Sequence, residues 1–165
     1  MEKRLLELPK LAKDALKENK KYFAKLKKRT PKRLDLLMQE IHNNEFENTD
    51  CLTCGNCCKT TSPIFTEKDI ERIAKHLRIK AQNFVAQYLE RDSDGFYVLQ
   101  FVPCTFLDTT DNSCFIYNVR PKACREYPHT NRRKFIKITD LTIKNTEICP
   151  ATYSIVEELK KRFPL

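Results

Sequence analysis

The 165-residue chain has only two glycines, two methionines and three histidines, no tryptophan, and no apolar run long enough to cross a bilayer. Each scarcity excludes something. Two glycines cannot build the Gly-rich loops that cradle dinucleotides or many methyl donors. His42, His76 and His129 share no ligand spacing with one another, although His129 follows the Cys124 segment closely enough to approach a site there. No Ser/His/Asp set, no carboxylate pair in an apolar setting and no Walker-type loop is visible, which leaves the cysteines as the only candidate catalytic nucleophiles. Residues 1–9 alternate charge with leucine and do not resemble a secretory leader. The expectation is a cytoplasmic protein with no membrane partner.

Cysteine, by contrast, is plentiful. Eight cysteines in a reducing compartment indicate metal or redox chemistry more readily than a disulfide framework. Four of them, Cys51, Cys54, Cys57 and Cys58, fall within eight residues and enclose Gly55, one of the two glycines. In a Cys-x-x-Cys turn the chain tightens so that backbone N–H groups face the sulfurs, and the residue after the second cysteine often needs a positive φ. Gly55 stands at that position. The remaining cysteines, Cys104, Cys114, Cys124 and Cys149, are spread downstream.

All eight are candidate metal ligands, and the spacing allows two divisions. One gives Cys51, Cys54, Cys57 and Cys58 to one ion and Cys104, Cys114, Cys124 and Cys149 to another, as in four-thiolate zinc sites. The other follows the iron–sulfur pattern, in which a Cys-x-x-Cys-x-x-Cys run is completed by a remote Cys-Pro. Cys51, Cys54, Cys57 and Cys149 then form one group, with Cys58, Cys104, Cys114 and Cys124 left for a second. Because the adjacent Cys57 and Cys58 chelate a single tetrahedral ion awkwardly, one of the pair is expected to reach elsewhere. Zinc and an iron–sulfur cluster both remain open on spacing alone. Thiolates accumulate negative charge that must be offset. Helix starts at Cys149-Pro150 and just after Pro121, together with Lys59, Arg120, Lys122 and Arg125, stand where they can do so.

Lysine is the other abundance, and it is unevenly placed. Residues 1–33 hold 13 Lys and Arg against 4 Asp and Glu, which accounts for the whole net charge of +9. Residues 1–48 are therefore expected to form a basic helical arm, and residues 49–165 a cysteine-cluster metal-binding domain. Apolar spacing predicts a helix over residues 10–29 with Asn19 in a gap of its stripe, and a second opening at Thr30-Pro31. The arm can serve nucleic acid, through lysines interleaved with Tyr22 and Phe23, or a protein partner that packs on its leucines. Further helices are expected after the capping-box signal at Thr66 and over residues 81–89. Strands are expected at residues 96–102, 114–117 and 134–143. The fold class is α+β.

The segments CLTCGNCC (51–58), PCTFLD (103–108), CFIYNVRPKACREYP (114–128) and CP (149–150) together resemble the YkgJ-type cysteine-cluster family, described as a zinc- or iron-chelating CxxCxxCC domain. The resemblance implies a bacterial-type cytosolic metal-binding protein and covers the body but not the basic arm. A more distant likeness to flagellin lysine N-methylases implies, as an alternative, a cluster-dependent enzyme. A nucleic-acid-associated module with a structural metal is the other alternative.

Overall fold

The computed structural model describes residues 2–165. The elements run α1 (Glu2–Lys28), α2 (Leu34–Glu47), α3 (Cys51–Cys54), α4 (Asn56–Thr60), α5 (Glu67–His76), α6 (Ala81–Tyr88), β1 (Leu89–Arg91), β2 (Tyr97–Leu99), α7 (Lys122–Glu126), α8 (Thr139–Asn145) and α9 (Pro150–Arg162). Helix dominates and the sheet is one short antiparallel pair, β1 with β2, in the register Leu89 to Leu99. The class is α+β, as the sequence indicates. Among the described residues no helix is long and apolar enough to cross a membrane.

The chain forms two compact units, one of Met1–Cys54 with Pro128–Leu165 and one of Gly55–Tyr127. The first is a helical unit whose core joins the two ends of the chain. Tyr22, Phe23 and Leu26 from α1, Leu34, Met38 and Ile41 from α2, and Ile155, Val156 and Leu159 from α9 are buried together around Phe135. Burial of a Phe or Leu side chain contributes about 1.5–3 kcal/mol, so this cluster is the main source of the unit's stability. Helix α1 is longer than the spacing predicts and runs on through Pro9 toward the amino terminus. Thr30 does not cap α2. Its hydroxyl instead donates back to the carbonyls of Leu26 and Lys27, closing α1, and α2 starts at Leu34 without a side-chain cap.

The predicted strand over residues 134–143 is a short 3-10 helix, Phe135–Ile138, followed by α8. Its β-branched content suggests a strand, yet the buried positions Phe135, Thr139, Thr142 and Ile143 recur at helical spacing. The Asp35 carboxylate fixes the start by accepting from the backbone N–H groups of Lys134 and Phe135 at 2.7 and 3.1 Å.

The second unit packs α5 and α6 on the β-pair around Phe65, Ile70, Ile73, Phe84, Leu99 and Phe106. Thr66 closes a capping box with Asp69, as the sequence predicts. The predicted strand at residues 96–102 shrinks to Tyr97–Leu99, because residues 101–103 turn outward to solvent and cannot continue the pairing. Residues 114–117 contribute one isolated bridge, Leu107 to Cys114, and then a 3-10 turn over Tyr117–Val119. That bridge still brings the Cys104 and Cys114 segments side by side.

Candidate metal centre

The opening cysteine run folds as two short helices, α3 and α4, hinged at Gly55. Gly55 sits in the left-handed region at φ 59°, which costs any residue with a Cβ about 1–2 kcal/mol. Space enforces the same choice. A Cβ at this position would lie 2.7 Å from Asn112 Oδ1. The hinge separates Cys51 and Cys54, which belong to the helical unit, from Cys57 and Cys58, which belong to the second.

In the second unit four thiols gather. The backbone N–H of Cys104 donates to the carbonyl of Cys58 at 2.8 Å, and the Leu107 to Cys114 bridge lays the Cys114 segment beside them. Cys124 lies in α7, as its placement after Pro121 indicates, with Pro121 at the N-cap rather than inside the first turn. The thiols sense one another electrostatically. Cys58 is the readiest to ionise, lowered to about 7 by its hydrogen bond with Cys57, against the effect of burial and with help from Lys59; the two sulfurs are 4.0 Å apart. Burial raises Cys104 to about 11, with the charges of Cys58 and Cys114 adding to it while the Phe106 N–H opposes it. Burial also raises Cys114 and takes Cys124 to about 12, where Cys58, Cys104 and Cys114 add their repulsion and Arg120 pulls the other way. Burial and the neighbouring charges thus hold Cys104, Cys114 and Cys124 against ionising beside Cys58, and a cation is what would offset the charge of all four as thiolates.

Cys149 lies in the helical unit and caps α9, its Sγ accepting from the Thr152 N–H at 3.4 Å. Its pKa is raised by burial, opposed by the N–H groups at the helix start, and raised further by the charge of Cys54. Cys54 and Cys149 are thus within electrostatic reach of each other inside one unit. Cys51 is exposed at the start of α3. All eight thiols are free of disulfides.

Two residues not singled out by sequence hold the second unit's thiols in place. Asp69, 1% exposed, accepts from Thr66 N–H and Oγ1–H, from Arg72 Nη2 and, at 3.1 Å, from the backbone N–H of Lys122. Arg72 in turn donates from Nε to the Val119 carbonyl and from Nη2 to the Arg120 carbonyl, at 3.3 and 3.0 Å. The segment between Cys114 and Cys124 is therefore clamped to α5 by a carboxylate–guanidinium pair. The sequence signal was an Asp at the third position of a capping box with Arg three residues on, but its distant partners leave no local trace. Of the expected basic neighbours, Lys59 and Arg120 act on the thiols, Arg120 while lying 3.8 Å over the Tyr117 ring, and Lys122 pairs with Glu126. His42 bonds Thr130 instead of approaching a cysteine, and His76 is exposed.

The donor chemistry suits soft or borderline metals, since thiolates favour zinc and iron–sulfur groups. As the side chains lie, no three His, Cys, Asp or Glu among the described residues converge on a point that would hold an ion.

A family model described as "Putative zinc- or iron-chelating domain" matches residues 50–150, well over half of the chain and all eight cysteines. The chain belongs to the CxxCxxCC family. The CxxCxxCC match begins just before Cys51 and ends at Pro150, so it takes in α3 through the start of α9 and leaves α1 and α2 outside. A curated relative, the uncharacterized protein MJ0661 of Methanocaldococcus jannaschii, is 34% identical over 91 residues, covering 54% of this chain and 49% of its own. The chain thus spans about half the length of this relative. No solved structure matches it.

Proposed function

We propose that the protein binds zinc or iron through a four-thiolate centre made by Cys58, Cys104, Cys114 and Cys124, with Cys51, Cys54 and Cys149 forming a separate thiol group in the helical unit. The observation that carries this reading is the backbone pairing that sets Cys104 on Cys58 and lays the Cys114 segment beside them, with the charges of these thiols felt at Cys124. It supports the division in which Cys58 parts from the Cys-x-x-Cys-x-x-Cys run. Four thiolates suit either one tetrahedral zinc ion or an iron–sulfur cluster, which Cys58, Cys104, Cys114 and Cys124 would hold through their sulfurs. Cys57 donates to or accepts from Cys58 and tunes it.

The protein's own residues supply the rest of the site. Arg120 and Lys59 offset thiolate charge, and the Asp69–Arg72 clamp sets the spacing of Cys114 and Cys124. Anaerobic purification followed by metal and acid-labile sulfide analysis tests the reading. Zinc in fixed ratio without sulfide identifies an ion site, and brown colour with sulfide identifies a cluster. Cys58→Ser is expected to lose that metal in either case. Full metal content in a folded Cys58→Ser variant removes Cys58 from the centre.

A further inference from the structure

The lysine-rich first helix is more than a solvated face, and its partner can be read from what surrounds it. Leu8, Ala12, Asn19, Tyr22, Phe23 and Leu26 fill the inner side of α1 and are buried. At 100° per residue, Lys10, Lys13, Lys17, Lys20, Lys21 and Lys28 fall on the opposite side, and all are exposed. At 1.5 Å per residue this stripe is about 27 Å long. Of the acids nearby, Glu18 of α1 pairs with Lys160 and Glu40 of α2 pairs with Arg162, while Asp14 shares the outer side of α1 with the lysines, which outnumber it.

A second segment about a hundred residues away extends the stripe. Asp35 uses both carboxylate oxygens on the N–H groups of Lys134 and Phe135, which seats the turn carrying Arg132 and Arg133 against the start of α2, where Lys32 and Arg33 lie. Lys27 pairs with Asp140 and so neutralises an acid at this end. Arg29, Lys32, Arg33, Arg132 and Arg133 are all exposed there.

We infer that this surface binds the phosphate backbone of duplex nucleic acid. Three observations choose that occupant. The apolar side of α1 is consumed by the core, and between Lys20 and Arg33 no large apolar side chain is exposed, so this half of the surface has nothing to insert into a lipid interface, while Leu6 and Leu11, exposed nearer the amino terminus, lie at the far end of the stripe. Tyr22 and Phe23, the aromatics among these lysines, are 7% and 1% exposed and offer no stacking platform for single strands. What remains is a long row of mobile ammonium and guanidinium groups, which reads phosphates and not bases.

The test uses the full chain and 30-base-pair mixed-sequence duplexes of DNA and of RNA, with fluorescence anisotropy from low to moderate salt. Binding is expected to weaken steeply with salt, each phosphate contact contributing about 0.9 to the slope of log K against log salt. Lys28→Glu with Lys32→Glu, and separately Arg132→Glu with Arg133→Glu, are each expected to weaken binding by tenfold or more. Lys75→Glu with Lys80→Glu, exposed in the other unit, changes net charge equally and is expected to leave affinity within twofold. Absence of binding at low salt overturns the inference. So does equal loss in the Lys75 and Lys80 variant, which would make the effect one of net charge, or retention on anionic phospholipid vesicles without duplex binding. Circular dichroism of each variant ensures that lost binding is not lost fold.

Discussion

Replacing Asp69 by asparagine keeps the side chain's shape and removes its charge. The native carboxylate accepts four hydrogen bonds, two on one oxygen from Thr66 and two on the other from Arg72 and Lys122. An amide has one acceptor oxygen, so whichever way it turns, one pair of donors faces an NH2 group. Hydrogen bonds to a charged group contribute about 1.5–3 kcal/mol each, and the Thr66 hydroxyl can rotate to recover one, so a net loss of about 2–4 kcal/mol is expected. A domain with about 5–15 kcal/mol of stability survives that. The Lys122 N–H and, through Arg72, the Val119 and Arg120 carbonyls then lose their anchor, and Cys124 loses its fixed distance from Cys114. Loss of a residue that orients a ligand typically costs about 10- to 100-fold in metal affinity. Urea titration reads the stability and competition with a chromophoric chelator reads the affinity. Thr66→Ala is the control: it removes the cap, worth about 1 kcal/mol, without touching Lys122 or Arg72. If Asp69→Asn lowers stability as expected but holds metal within twofold of the native chain, the clamp serves the fold alone and the reasoning fails.

Other outcomes follow from the same geometry. Gly55→Ala is expected to destabilise by about 1–2 kcal/mol from its left-handed backbone, and more from the contact with Asn112, a share that Asn112→Gly in the same chain should recover in urea melts. Burial lowers the pKa of His42 below 6.5 in the folded chain. As pH falls through 6.5 the unfolded chain takes up a proton that the folded chain refuses, so stability drops on acidification, and His42→Gln should flatten that part of the pH–stability curve. Thr152→Pro would remove the N–H that Cys149 accepts. Cys54→Ser is the milder probe of the thiols in the helical unit, and metal analysis is expected to find the Cys58 set still fully loaded.

The legible parts of this chain are local. Gly55 was marked by its scarcity and its place after the second cysteine, and its φ of 59° follows from the turn it serves. Cys149 before Pro150 reads as a cap because Pro fixes a first helical turn, and its sulfur does accept the Thr152 N–H. The capping box at Thr66 is likewise written in four residues. Residues 134–143 carry β-branched content that masks their helical spacing, and the contact that decides for helix comes from Asp35, a hundred residues earlier. The clamp was invisible for the same reason, since Asp69 meets Lys122 only after α5 and the loop before α7 have packed. Tyr22 and Phe23 looked available among the lysines, and only the core that α1 shares with α9 turns them inward.

The central claim is that four particular thiols hold the metal, and protection from alkylation tests it most directly. The anaerobically prepared full chain, with and without its metal, is treated with a thiol reagent and mapped by mass spectrometry. The account expects Cys58, Cys104, Cys114 and Cys124 to be shielded together by the metal and released together when it is removed. Metal that leaves these four as reactive as before, or a chain that takes up neither zinc nor iron, contradicts it.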